Sequence, residues 1–171
     1  GGAIVRQLLE KGFMVYGFDF GEPKIQHDNY KMLNVDITSE ESVKKAYCEI
    51  TAETDSLDVI VNTAGICYMS TLAEDNTERL EKLISVNLFG MYRVNQTFFD
   101  LVYKAEGRLI NFSSEYGKYT SMPFNGFYGI SKHAVEAYSD ALRREIRHLG
   151  VKVITVRPGV FNTGMASNVN N

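Results

Sequence analysis

Five short apolar runs, each closed by a polar turn and separated from the next by a stretch of helical periodicity, constrain this chain more than any other feature. Phe13 to Phe18 runs into Asp19, Tyr30 to Val35 into Asp36-Ile37, and Leu57 to Val61 into Asn62-Thr63-Ala64-Gly65. Arg108 to Phe112 ends in Ser113-Ser114, and Val151 to Val156 precedes Arg157-Pro158-Gly159. Unbroken apolar runs of this length are the pattern of strands buried on both faces, as in a parallel sheet. Between them the spacing predicts helices over 3–11, ending at Gly12, and over 38–51, opened by a capping box from Thr38 to Glu41. Further helices are predicted over 77–104 and over 127–149, the latter stopped by Gly150. Strands alternating with helices give an α/β fold, a doubly wound parallel sheet with right-handed crossovers and helices on both faces.

Such sheets bind ligands beyond the carboxyl ends of their strands, and every polar cluster named above lies at one of those ends. That favours one site over five unrelated loops. Between the fourth and fifth strands stands Tyr128-Gly129-Ile130-Ser131-Lys132. On a helix, Tyr128 and Lys132 share one face a turn apart. A phenol, with a reference pKa of about 10, is a poor base near neutrality unless its anion is stabilised, and the ammonium of Lys132 would do that. Taken alone, a Tyr and a Lys four apart are a common accident of amphipathic helices. Their setting between two polar strand ends gives the pair its weight.

Composition removes several function classes. At 171 residues the chain is read as one domain, 1–171. No apolar run approaches the roughly 20 residues of a membrane span. A net charge of −3 with scattered basic residues offers no footprint for nucleic acid. Cys48 and Cys67 lie far apart, and His27, His133 and His148 show no ligand spacing, so no metal and no disulfide are expected, and a reduced cytoplasmic setting fits. The opening on Gly1-Gly2 carries neither an initiator Met nor a signal-like segment, as in a piece of a longer protein.

Several motifs in order make the chain resemble the short-chain dehydrogenase/reductase family over nearly its whole length. Asn62-Thr63-Ala64-Gly65 resembles the family's Asn-Asn-Ala-Gly turn, Asn87 falls where its helix asparagine does, and the Tyr128/Lys132 pair is followed by Pro158-Gly159 and Thr163. The phrasing around Leu142-Arg143-Arg144-Glu145 is similar to the branch holding hydroxysteroid and retinol dehydrogenases. The resemblance implies a Rossmann-type fold and an oxidoreductase that interconverts an alcohol and a carbonyl. Tyr128 would be the general acid/base, and Lys132 would lower its pKa and bind the nicotinamide ribose. Ser114 would hold the substrate oxygen, and Asn87 a water linking Lys132 to solvent. Ser114 stands 14 residues before Tyr128, one more than the family's usual interval, and Ser113 is the alternative serine.

For the cofactor, the resemblance implies Gly1, Asp19, Asp36, Ile37, Asn62, Ala64, Gly65, Tyr128, Lys132, Pro158, Gly159, Val160 and Thr163. Asp19 can accept hydrogen bonds from both adenosine ribose hydroxyls and would repel a 2′-phosphate, so NAD is expected over NADP. The family also implies a homodimer or homotetramer, and a first strand lying between 13–19 and 57–61 that would precede Gly1. Cys67, Tyr68, Met69, Tyr116, Tyr119, Met122, Phe124 and Phe127 form a candidate apolar mouth for the substrate. Two other readings stay open: a nucleotide-binding regulator without chemistry, and a sugar-nucleotide epimerase or dehydratase of the same superfamily.

Overall fold

The elements follow the expected alternation with altered bounds. The computed structural model describes residues 1–21 and 25–159; Val160 and Thr163, both expected at the cofactor, lie outside them. Helix α1 (Gly2–Glu10) leads into strand β1 (Val15–Asp19), then β2 (Tyr30–Asn34), α2 (Glu40–Thr51) and β3 (Val59–Asn62). Helices α3 (Thr77–Ile84), α4 (Met91–Thr97) and α5 (Phe99–Lys104) precede β4 (Arg108–Phe112), α6 (Gly126–Glu145) and β5 (Lys152–Val156). The strands pair in parallel, and the core joins Leu33, Ile60, Leu109 and Val153 of the strands to Val43, Ile50, Val94 and Leu101 of the helices.

Three expectations are corrected by local chemistry. The capping box at Thr38 does not form: Ser39 caps α2 by accepting from Ser42 N at 3.2 Å, while Thr38 donates its hydroxyl to Asp36 Oδ1 at 2.7 Å. The helix expected over 77–104 is broken twice. Residues Ser85–Gly90 widen into a π turn around Asn87, and Phe98 leaves helical geometry to pack its ring against Phe18 and Tyr47, at 5.7 and 5.4 Å between centroids. Helix α6 ends at Glu145 rather than at Leu149; a short 3-10 turn follows, and Gly150 closes it at φ 79, a left-handed conformation that costs glycine nothing.

A fourth correction is to the sheet. Among the described residues the strands form two sheets, β1-β2 and β3-β4-β5. Between the edges of β1 and β3 lies a cleft of about 1000 Å³, lined by Val15 to Asp19, Val59 to Asn62 and the apolar side of α1. Because β1 borders the cleft, Val15, Tyr16 and Phe18 are only half-buried instead of covered on both faces.

The edges of β1 and β3 that line this cleft are apolar and lack a strand partner among the described residues, and such edges favour association over a single compact state. The 171-residue chain by itself is therefore expected to unfold without a sharp calorimetric transition and to bind a hydrophobic dye at neutral pH. A single cooperative transition would show that the two edges close onto each other in solution.

Candidate active site

Parallel pairing in register brings the polar strand ends side by side. Asn62, Asn111 and Thr155 are successive partners across β3, β4 and β5, so Ser113 and Ser114 emerge at the same level as Asn62-Thr63-Ala64-Gly65. Ser113 N donates to Val156 O at 2.8 Å and Glu115 N to Pro158 O at 3.1 Å, which carries the alignment past the last ladder bonds. Helix α6 runs beside these ends and presents Tyr128, Ser131 and Lys132 to them.

The two serines have different partners. Ser114 Oγ accepts from Tyr116 N at 3.3 Å and lies near enough to the Tyr128 phenol to draw its pKa down. Ser113 turns away and donates to Lys132 O at 3.3 Å. Of the two serines, Ser114 is the one near the Tyr128 phenol, and Tyr119 and Met122 on the intervening loop are exposed.

Burial governs the titration of the group. The Tyr128 phenol is pushed up from its ordinary value by desolvation, and the hydrogen bond with Ser114 pulls the other way. The expected lowering by Lys132 is not among the main influences on it. Lys132 is 4 % exposed and its pKa is brought down to about 8 by burial, opposed by the Cys67 thiol. Its Nζ donates to Phe112 O at 2.9 Å and stands 5.7 Å from the Tyr128 ring centroid. Cys67, which the sequence places only in the apolar mouth, is close enough to both groups to influence their charge, and burial raises its own thiol pKa.

Asn87 is buried in the π turn, and its amide is fully used. Oδ1 accepts from Ile66 N at 2.8 Å, and Nδ2 donates to Ile66 O at 2.9 Å and to Ser131 Oγ at 3.0 Å. Ser131 in turn donates to Tyr128 O at 2.7 Å. Asn87 therefore pins the turn after Asn62 to the first turns of α6, and Ser131, absent from the expected site, is the link. Its signal was a small polar residue on the same buried face as Lys132.

The expected cofactor residues divide in two. Gly1, Asp19, Ile37, Asn62, Ala64 and Gly65 line the cleft between the sheets, while Pro158 and Gly159 stand across the strand ends beside Glu115. Asp19 ends β1 exposed, with Oδ1 taking Phe20 N at 2.8 Å and Oδ2 left for a further donor. Gly65 joins the two groups: a Cβ there would lie 3.3 Å from Asn87 Oδ1 and 3.5 Å from Lys132 Nζ, so a side chain would crowd both. An accessible carboxylate on one strand and a bare backbone passage leading to a buried ammonium fit a dinucleotide. Asp36 serves α2, its carboxyl held below the usual range by the hydroxyl and N–H of Thr38. The Asn62 side chain points into the core, donating to Asn95 and Asn111 at 2.8 and 3.0 Å.

The family described as short chain dehydrogenase matches residues 1–171. A 3-ketodihydrosphingosine reductase of Bacteroides thetaiotaomicron is 37% identical over 171 residues, which cover 99% of this chain and 63% of that protein. The human 17-beta-hydroxysteroid dehydrogenase type 6 is 36% identical over 176 residues, 98% of this chain and 55% of that one. A short chain dehydrogenase from Burkholderia cenocepacia in complex with NADP superposes with a TM-score of 0.90 at 25% identity, over 100% of this chain and 72% of that one. The chain thus spans a little over half the length of these curated relatives.

Burying Lys132 with its proton is costly. Below about pH 8 it is protonated in both folded and unfolded chains and the penalty is complete; it fades as pH rises toward the unfolded value of 10.5. Lys132→Met in the full-length protein is expected to raise stability at pH 7 by up to about 3 kcal/mol, with the gain shrinking between pH 8 and 10.5. Denaturant titrations at pH 7 and pH 10 check it; equal shifts at both would show that the buried ammonium is not the cause.

Proposed function

The chain belongs to the short-chain dehydrogenase family, on the branch that resembles hydroxysteroid and retinol dehydrogenases, and from that premise we propose that the protein interconverts a secondary alcohol and its ketone with a nicotinamide cofactor. One arrangement carries the proposal: the buried Lys132 ammonium stands 5.7 Å from the Tyr128 ring centroid at the end of β4, where Ser114 lies near the phenol. A nucleotide-binding regulator would have no use for a lysine held at such cost.

The bound nicotinamide would supply or accept the hydride. Asp19 and the glycine passage at Gly1 and Gly65 would hold the cofactor, with Pro158 and Gly159 closing over its reactive end. The chain's own residues handle the proton. The substrate oxygen would take both hydroxyls as partners, with Ser114 fixing its position and Tyr128 giving it a proton in ketone reduction or receiving one in alcohol oxidation. A phenol raised by burial stays protonated at neutral pH and so has a proton to give. As a base it would need neighbouring positive charge, for which the Lys132 ammonium, 5.7 Å from its ring centroid and protonated below about pH 8, would be the source once the cofactor and substrate are bound. Asn87, with its amide committed, would act by holding Ile66 and Ser131, leaving the relay role expected of it to the backbone of the π turn.

Exposed Met69, Tyr119, Met122 and Phe124 support an apolar substrate, because the loops that bear them meet at the site: Ser70 N donates to Phe124 O at 2.8 Å. Asp19 without a basic neighbour in Phe20 supports NAD over NADP, although the Burkholderia relative holds NADP.

In the full-length protein, Tyr128→Phe is expected to lower kcat by about 10²–10⁴-fold while NADH binding, read by fluorescence, persists. Ser114→Ala is expected to act on kcat as well, and Ser113→Ala chiefly on thermal stability. Undiminished turnover by Tyr128→Phe would end the proposal. For the cofactor, kcat/KM with NAD should exceed that with NADP, and an NADP advantage would reverse the role given to Asp19.

A further inference from the structure

The short 3-10 turn Glu115–Gly117 sets a second tyrosine against Tyr128. The rings of Tyr116 and Tyr128 stand 6.3 Å apart between centroids at an interplanar angle of 82°, the edge of one against the face of the other. Tyr116 is near enough to add to the upward push on the Tyr128 phenol. The backbone of the same residue donates to Ser114 Oγ at 3.3 Å. Tyr116 thus touches both side chains to which the proton chemistry is assigned, one through its ring and the other through its N–H. A hydroxyl oxygen that accepts a bond still has its own proton to donate, so Ser114 remains able to offer its O–H to a substrate oxygen.

The turn that carries Tyr116 is fixed on the helix that carries Tyr128. Gly117 N donates to Ser114 O at 3.0 Å, and Lys118 N and Tyr119 N donate to Glu115 O at 3.0 and 2.8 Å. A Cβ on Gly117 would collide with Ser113 Oγ and stand 2.8 Å from Lys132 O; one on Gly129 would collide with Ser121 Oγ and stand 3.7 Å from Tyr116 O. The turn is therefore seated directly on α6 along Gly129 to Lys132. The Tyr128 side chain, half-buried in the first turn of α6, has other staggered positions open to it in principle, and each would give up the contact with the Tyr116 ring. Resting on the oxidoreductase reading above, we propose that Tyr116 is a positioning residue for the reaction: its ring holds the Tyr128 phenol in the one orientation that meets a substrate oxygen beside Ser114. It exchanges no proton itself. A misplacement of about 1 Å can cost about 10²-fold in rate, so a ring that fixes the phenol acts on turnover more than on binding. Because the ring and not its hydroxyl makes the contact, phenylalanine would serve in its place and an aliphatic side chain would not.

The test compares the full-length protein with its Tyr116→Phe, Tyr116→Leu and Tyr116→Met variants. The substrate is whichever member of a panel of acyclic, alicyclic, polycyclic and benzylic secondary alcohols the wild type oxidises fastest with NAD. Rates are taken per NADH-binding site, counted by NADH fluorescence, so that unfolded protein does not enter them. Tyr116→Phe is expected to keep kcat close to that of the wild type. Tyr116→Leu and Tyr116→Met should lower kcat by about tenfold or more, with much smaller changes in KM and NADH affinity. An unchanged kcat per site in the two aliphatic variants overturns the proposal and leaves the oxidoreductase reading intact. A loss confined to KM overturns it in favour of a substrate contact, and an equal fall in Tyr116→Phe overturns it in favour of a part for the Tyr116 hydroxyl. Loss of NADH binding in both aliphatic variants overturns it in favour of a purely structural role. Absence of NAD-linked turnover by the wild type across the whole panel overturns the underlying reading together with it.

Discussion

A buried amide network holds the strand ends on which the site is built. Asn62 donates to Asn95 and Asn111, Asn95 donates to Asn111 and to the Tyr138 hydroxyl, and Asn111 donates to Ser139. Asn111 and Ser139 are fully buried and Asn95 is 2 % exposed. The bonds tie β3, β4, α4 and α6 together just below the level of Ser113. In such a place a donor or acceptor that loses its partner costs about 1–3 kcal/mol, so each residue depends on all the others being present. Apolar packing would hold the same elements with more tolerance for sliding. Hydrogen bonds between short amide side chains fix register, and register decides which residues stand at the strand ends.

What stands there is held at a cost to stability. Phe112, the residue after Asn111, offers its carbonyl to Lys132, and that single acceptor partly offsets the desolvation of an ammonium only 4 % exposed. The π turn at Ser85–Gly90 is a second expense, since the widened turn gives up regular α bonding. It places the Asn87 amide between Ile66 and Ser131, and so couples the loop after β3 to the backbone of Tyr128. Strain and burial are concentrated around the reacting groups, while the outer face of α2 follows ordinary helical rules with a serine cap and two acidic residues in its first turn.

This contrast explains what could be read from the chain. Periodicity located all five strands to within two residues, because burial in a parallel sheet leaves a continuous apolar signature. Tyr128 and Lys132 were legible because their spacing has a chemical use. The breaks at Ser85–Gly90 and Phe98 were not: both fall inside an unbroken helical pattern and arise from partners distant in sequence, Ile66 and Ser131 in one case, Phe18 and Tyr47 in the other. Asn95 and Tyr138 were silent for the same reason. Polar residues on a helix look solvated until the sheet beneath them is known. The choice between Ser113 and Ser114 also lay beyond counting, since it turns on which hydroxyl is spent on the Lys132 carbonyl and which lies near Tyr128.

The division of the sheet gives one residue unusual leverage. The residues expected at the adenosine end of a dinucleotide line the cleft beside β1, and the proton-transfer group belongs to β4 and α6; Gly65 lines the cleft at the point where a Cβ would stand 3.5 Å from Lys132 Nζ. Its neighbours there, Asn87 Oδ1 and Lys132 Nζ, are both fixed, one by Ile66 and the other by Phe112. Neither can withdraw to make room for a side chain without abandoning a buried hydrogen bond. Close approach at Gly65 is thus enforced from two sides, by the π turn and by the amide-bound end of β4. A side chain at this point of the turn would crowd both the π-turn amide and the buried ammonium.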